Sequence, residues 1–176
     1  MRSFNPRTVA LLVLFTVGGG LVLPAQAQLQ KIEQTIFGMD CAPCAHAMEQ
    51  SIGSMDGVEA VSVSLNNGLA TIDLSTTNAL EYENIRKAIA NGGFSARKAT
   101  LKVRGTLRRQ GDRWVLETPT GEQFVLQSSA KEGREKAAFQ DLHPNRQVIV
   151  SGQVPASPET EGPRWPLRLH QVRSAT

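Results

Sequence analysis

The apolar positions change period along the chain, and each change marks an element. Over residues 31 to 37, Ile32 and Ile36 sit among polar neighbours with the alternation of a strand. Ala45, Met48, Ile52 and Met55 then recur at i, i+3, i+7 and i+10, one face of a helix ending near Gly57. Met48 and Met55 therefore read as core residues and not as metal ligands. Val61, Val63 and Leu65 alternate, Asn66-Asn67-Gly68 supplies the positive-φ residues of a tight turn, and Ala70, Ile72 and Leu74 alternate again, which predicts a β-hairpin. Asn78, with Glu81 three residues on, has the pattern of a helix N-cap and its partner. Tyr82, Ile85, Ala88 and Ile89 form the next apolar face, Gly92-Gly93 stops it, and residues 94 to 101 return as a strand. The order βαββαβ over about 70 residues is the ferredoxin-like split βαβ arrangement.

From residue 101 the period stays near two. Residues 101 to 109, 113 to 118 and 122 to 127 read as strands joined by Gln110-Gly111-Asp112 and Pro119-Thr120-Gly121 turns. Residues 130 to 142 have helical character through Ala137, Ala138 and Leu142, and residues 147 to 154 and 167 to 172 read as two more strands. Three strands, a helix and two strands is the element order of a small OB-like β-barrel. The fold class predicted for the chain is thus α+β, a ferredoxin-like βαββαβ domain followed by an OB-like β-barrel. Trp165 and Trp114, with Arg108, Arg109 and Arg168, are the residue types of a base-stacking surface, but Trp114 alternates with Leu116 as a packed residue does. His143 and His170 have no nearby Cys, Asp or Glu at metal-ligand spacing.

The amino terminus changes the picture of where this chain works. Arg2 and Arg7 precede an apolar run from residue 9 to 23, and Ala25-Gln26-Ala27 follows with the small-x-small pattern of a cleavage site. Residues 1 to 27 are read as a secretory signal. The run is shorter than the roughly 20 apolar residues of a membrane span, so no stable span is expected after cleavage. The expected location is the periplasm, where no nucleic-acid partner is anticipated. Between residues 28 and 100 there are five Lys or Arg against eight Asp or Glu, net −3, whereas residues 101 to 176 carry twelve against eight, net +4. This charge shift suggests two units, 28 to 100 and 101 to 176. The basic half suits a partner protein or anionic envelope components.

Both cysteines lie in Gly38-Met39-Asp40-Cys41-Ala42-Pro43-Cys44, between the first strand and the first helix. A helix start offers unpaired N–H groups and a dipole that favour the thiolate, the form that ligates metal or attacks disulfides. Closing so short a loop adds little chain entropy, so the pair reads as functional and not as a structural staple. Two thiolates on an exposed loop suit Cu(I) or a related thiophilic ion. Asp40 either adds a hard oxygen for Zn(II), Cd(II) or Pb(II) or faces water. His46 either adds a nitrogen ligand or, with positions 45, 48 and 52 forming the apolar stripe, faces solvent. A thiol-disulfide oxidoreductase shares the C-x-x-C spacing, but no aromatic precedes Cys41 and the βαββαβ order differs from the thioredoxin fold. A metal-sensing interaction module is a further alternative. No Ser-His-Asp, P-loop, H-E-x-x-H or paired-carboxylate signature is present, so an enzyme is not expected.

With that loop, Met55-Asp56-Gly57-Val58, the Asn66-Asn67-Gly68 turn and Gly93-Phe94, residues 31 to about 100 resemble the heavy-metal-associated domain family. This family is found in copper chaperones, in the periplasmic mercury carrier and at the amino termini of metal-pumping P-type ATPases. The resemblance implies Cys41 and Cys44 as ligands, Met39 as a buried anchor under the loop, and Phe94 at the position close to the metal. Soluble copper chaperones often have Lys or Tyr there, and Phe looks more like the ATPase-attached domains. It also implies Cu(I), or Hg(II), as cargo, and as partner a metal-donating or metal-accepting protein such as a transporter. Asp40 replaces the common Thr, a variant similar to that of zinc, cadmium and lead exporters.

Overall fold

The structure, a computed structural model, describes residues 28–128, 139, 142–156 and 164–175. The expected signal segment and, apart from Phe139 and Leu142, the expected helix over residues 130 to 142 lie outside the described residues. Among the described residues no helix is long and apolar enough to cross a membrane.

The amino-terminal half runs β1 (Leu29–Phe37), α1 (Ala42–Gly53), β2 (Val58–Ser64), β3 (Leu69–Leu74), α2 (Tyr82–Asn91) and β4 (Ser95–Gln110). Its strands lie in the antiparallel order β2-β3-β1-β4, the ferredoxin-like arrangement. Alternation in β1 and β3 sends Ile32, Ile36, Ala70, Ile72 and Leu74 to the core shared with Ala45, Met48 and Ile52 of α1 and Ile85 and Ile89 of α2. Met48 is buried and Met55 packs against that core, as their spacing predicts.

Two local expectations are corrected. Helix α1 ends at Gly53, a turn before Gly57, because Ser54 and Met55 already close the chain back on Gln50 and Ile52. Helix α2 is capped by Glu81, which exchanges hydrogen bonds with the N3 residue Asn84. Asn78 stands outside the helix. It is 5% exposed, its Nδ2 donates to the carbonyls of Leu29 (2.8 Å) and Ser75 (2.6 Å), and its Oδ1 accepts from the Leu80 N–H. It ties the loop before α2 to β1. Asn78→Ala leaves the Leu29 carbonyl buried without this donor and is expected to lower unfolding stability by about 1–3 kcal/mol, measured by urea titration. A loss under 0.5 kcal/mol would show the loop is held by other contacts.

A single strand crosses the boundary that the charge shift suggests. No turn residue interrupts residues 95 to 104, and Ala99, Leu101, Val103, Gly105 and Leu107 continue one alternation of buried positions, so β4 is a single 16-residue strand. One edge of β4 pairs with β1 and then with β5 (Arg113–Glu117), while its other edge pairs with β7 (Gln147–Val154). With β6 (Gln123–Ser128) and β8 (Arg164–Ser174), the pairings close a ring β4-β5-β6-β8-β7-β4, in which β6 and β8 are parallel. Gly105 permits the closure, since a Cβ there would come within 2.6 Å of the Glu117 carbonyl oxygen. Trp114 is buried under the Arg109 guanidinium, and Arg108 is paired with Glu117, so these residues form no open stacking surface.

The two halves meet at a polar seam. Glu122, at the entry to β6, is 1% exposed and accepts from the N–H groups of Tyr82 (3.0 Å) and Glu83 (3.3 Å) at the start of α2 and from Trp165 Nε1 (2.7 Å). Tyr82 meets the Trp165 ring edge-on and donates its hydroxyl to buried Gln34. The Arg86 guanidinium lies 5.3 Å from the Trp165 ring centroid. Trp165, weighed in the sequence as a surface aromatic, is therefore interior.

Candidate metal centre

The loop between β1 and α1 follows from its residues in order. Phe37 ends β1 opposite Ser95 of β4, and Gly38, at φ +92°, turns the chain through a conformation that L side chains rarely adopt. Met39 is then buried at 5% exposure, an anchor beneath the loop, while Asp40 and Cys41 are exposed. Pro43 suits the first turn of α1, where its missing N–H is not needed. Cys41 is the N-cap. Its Sγ and carbonyl both accept from the Cys44 N–H (3.1 and 3.0 Å), and the carbonyl accepts from Ala45 as well.

Cys41 and Cys44 are joined in a disulfide with their Cα atoms 5.1 Å apart. Cys44 is half-buried and packs against the core, whereas Cys41 is open to solvent. The first turn of α1 carries no acidic residue, and once the pair is reduced the unpaired N–H groups of the helix start face the sulfurs. Once reduced, the arrangement offers two soft donors side by side, one exposed, at a strand–helix junction.

The other expected donors stand apart from one another. Asp40 is exposed beside Cys41. His46 is on the outer side of α1, its Nδ1 3.9 Å from Glu49 and its Nε2 3.1 Å from Gln50. Among the described residues no group of three or more His, Cys, Asp or Glu side chains converges. Phe94 is half-buried near the loop, its Cδ1 4.0 Å from where a Cβ on Gly38 would lie. Sequence reasoning missed Phe37, which is 62% exposed beside the loop with the Arg97 guanidinium 4.8 Å from its ring centroid. Its outward parity relative to Ile36 was the available signal.

A ferredoxin-like domain carrying a cysteine pair at the start of its first helix defines the class. Residues 34–95 match the heavy-metal-associated domain. Over 63 residues the chain is 34% identical to the copper chaperone CopZ of Bacillus subtilis (strain 168), covering 36% of this chain and 90% of that protein. The chain belongs to the heavy-metal-associated domain family. It is also 43% identical over 61 residues to copper-transporting ATPase 2 of Homo sapiens, which is 35% of this chain but 4% of that protein. Among solved structures, a copper binding domain from HMA7, a P-type ATPase, is 31% identical, covering 38% of this chain and 89% of that one at a TM-score of 0.36.

Proposed function

We propose that this chain is an exported carrier or sequestering protein for Cu(I), which it holds between the thiolates of Cys41 and Cys44 and passes on by ligand exchange. The observation that carries the reading is the pair itself, two adjacent sulfurs at an exposed helix start, with no third donor converging on them among the described residues. Two thiolates satisfy Cu(I), whereas Zn(II) needs about four ligands. The names of the relatives, a copper chaperone and a copper-transporting ATPase, agree with this choice. The partner is a metal-donating or metal-accepting protein such as a transporter. The chain is a carrier and not a catalyst.

Periplasmic location rests on the residue 1 to 27 pattern, and the disulfide suits an oxidising compartment. The second unit is an OB-like barrel, supported by its closed ring with one parallel pair. It shares β4 with the metal-binding unit, which supports a rigid link between the two. The closed disulfide also favours one competing reading, a thiol-disulfide oxidoreductase, whose first sulfur would be the exposed Cys41.

Copper loading separates these readings. Reduced protein is expected to take up one Cu(I) per chain from a competing chelator, and the disulfide form none. Insulin reduction at a thioredoxin-like rate, without stoichiometric copper, would favour the oxidoreductase. The same titration with Zn(II) tests Asp40 and His46. If Asp40 completes a Zn(II), Cd(II) or Pb(II) site, Asp40→Asn weakens Zn(II) about tenfold, about 1.4 kcal/mol, and leaves Cu(I) unchanged. Equal loss for both ions, or none, removes Asp40 from the site, and His46→Gln is read in the same way.

A further inference from the structure

A second site lies at the far end of the barrel. A half-open cavity of about 450 Å³ opens between the end of β4, the turn over residues 142–146, the start of β7 and the end of β8. That size falls in the range of small-molecule pockets, about 300–1,000 Å³. Its floor is apolar, with Leu107, Val148 and Leu169 each under 8% exposed. Arg146, Arg173, His143 and His170, all four exposed, line it together with Gln171 and Ser174, and the described lining contains no Asp or Glu. The ion pairs of the described residues engage neither Arg146 nor Arg173. Backbone bonds hold one wall in place, because Asn145 N–H donates to the Leu107 carbonyl (2.8 Å) and Leu107 N–H to the Arg146 carbonyl (2.9 Å). Asn145 further accepts from Arg108 Nη1 (2.6 Å).

Two imidazoles in one cavity invite a metal-site reading, but two permanent guanidinium charges beside them repel a cation. The same guanidiniums bind a carboxylate or phosphate, and an imidazole donates an N–H in either protonation state. An inorganic anion alone would leave the leucine and valine floor wet. From this combination we infer that the cavity binds a small organic anion with an apolar body, its carboxylate or phosphate head on Arg146 and Arg173 and its chain on Leu107, Val148 and Leu169. The site is separate from the cysteine pair. Ser95 of β4 pairs beside the cysteine loop and Leu107 lies in the cavity, about 40 Å of strand apart at roughly 3.3 Å per residue.

The test is an amide-resolved NMR titration of the full chain with decanoate below its micelle concentration, alongside decanol and inorganic phosphate. Decanoate is expected to give saturable shifts confined to residue 107 and its strand neighbours and to residues 142–148 and 169–174, with decanol and inorganic phosphate each at least tenfold weaker. Arg146→Gln with Arg173→Gln should weaken decanoate at least tenfold while leaving the melting temperature and Cu(I) stoichiometry unchanged. Co-sedimentation with phosphatidylglycerol vesicles, lost in the double variant, would place the same anion class on a lipid, and its absence a free one. Decanol binding as tightly as decanoate, inorganic phosphate binding as tightly, an unaffected double variant, or shifts elsewhere would each overturn the inference.

Discussion

A chain carrying Cys41→Ser and Cys44→Ser is expected to keep its fold and to lose Cu(I) affinity by at least about a thousandfold, about 4 kcal/mol. The fold should survive because each serine lands where its hydroxyl is tolerated. At position 41 the side chain caps α1, and a serine oxygen accepts from the residue 44 N–H at least as well as sulfur does. At position 44 the half-buried side chain lies at the margin of the core, where a hydroxyl costs about 1 kcal/mol. Under reductant the wild type also lacks the disulfide, so the two chains should agree in circular dichroism and melt within a few degrees of each other. Copper, in contrast, loses both soft donors, and no other cluster of the described residues replaces them. Stoichiometric binding by the folded double variant, measured against a Cu(I) chelator, would sink the carrier proposal. Loss of binding by a variant that has also lost its circular dichroism signal would instead show the loop to be structural.

The difference between this site and the rest of the molecule lies in how local the information is. Gly38, Met39, Cys41 and Cys44 fall within one seven-residue stretch, and a strand signal before them and a helix signal after them place the loop without reference to the rest of the chain. The amphipathic faces of α1 and α2 and the β2–β3 hairpin were legible for the same reason. Asn78 was misread because Asn serves equally as a helix cap and as a loop staple, and the choice was made by the Leu29 carbonyl, which is remote in sequence. The unbroken run of β4 was present in the alternation from Ala99 to Leu107, but the charge shift that suggested a cut near residue 100 reports the surface and not strand continuity. His143 and His170 looked isolated because only the barrel register brings the turn before β7 beside the end of β8. Glu122 had no signal at all. A glutamate after a Pro-Thr-Gly turn reads as exposed, and its burial is decided by where α2 docks.

Glu122 carries the largest stability effect expected here. Glu122→Ala leaves three donors without their acceptor, the Tyr82 and Glu83 N–H groups and the buried Trp165 indole, and should cost about 3–5 kcal/mol. Its pH dependence has a sign that can be worked out. Burial raises the Glu122 pKa from 4.5 to about 7, outweighing the N–H groups of Tyr82, Trp165 and Glu83 that favour the carboxylate, and nearby Glu81 adds to the rise. The folded chain therefore holds a proton that the unfolded chain releases above its ordinary pKa. That contribution is fully present below about pH 4.5 and is lost as pH rises through about 7, a swing of about 3 kcal/mol. Glu122→Gln is neutral at every pH and so removes the swing, though its NH2 group cannot accept the N–H bond that one carboxyl oxygen takes. Urea unfolding at pH 5 and pH 8 should show the stability gap between wild type and Glu122→Gln moving by about that amount, against the wild type at the higher pH. A gap that moves in the wild type's favour would mean that the three N–H groups outweigh burial, and that the two halves of the molecule are held together by a carboxylate ion and not by a neutral acid.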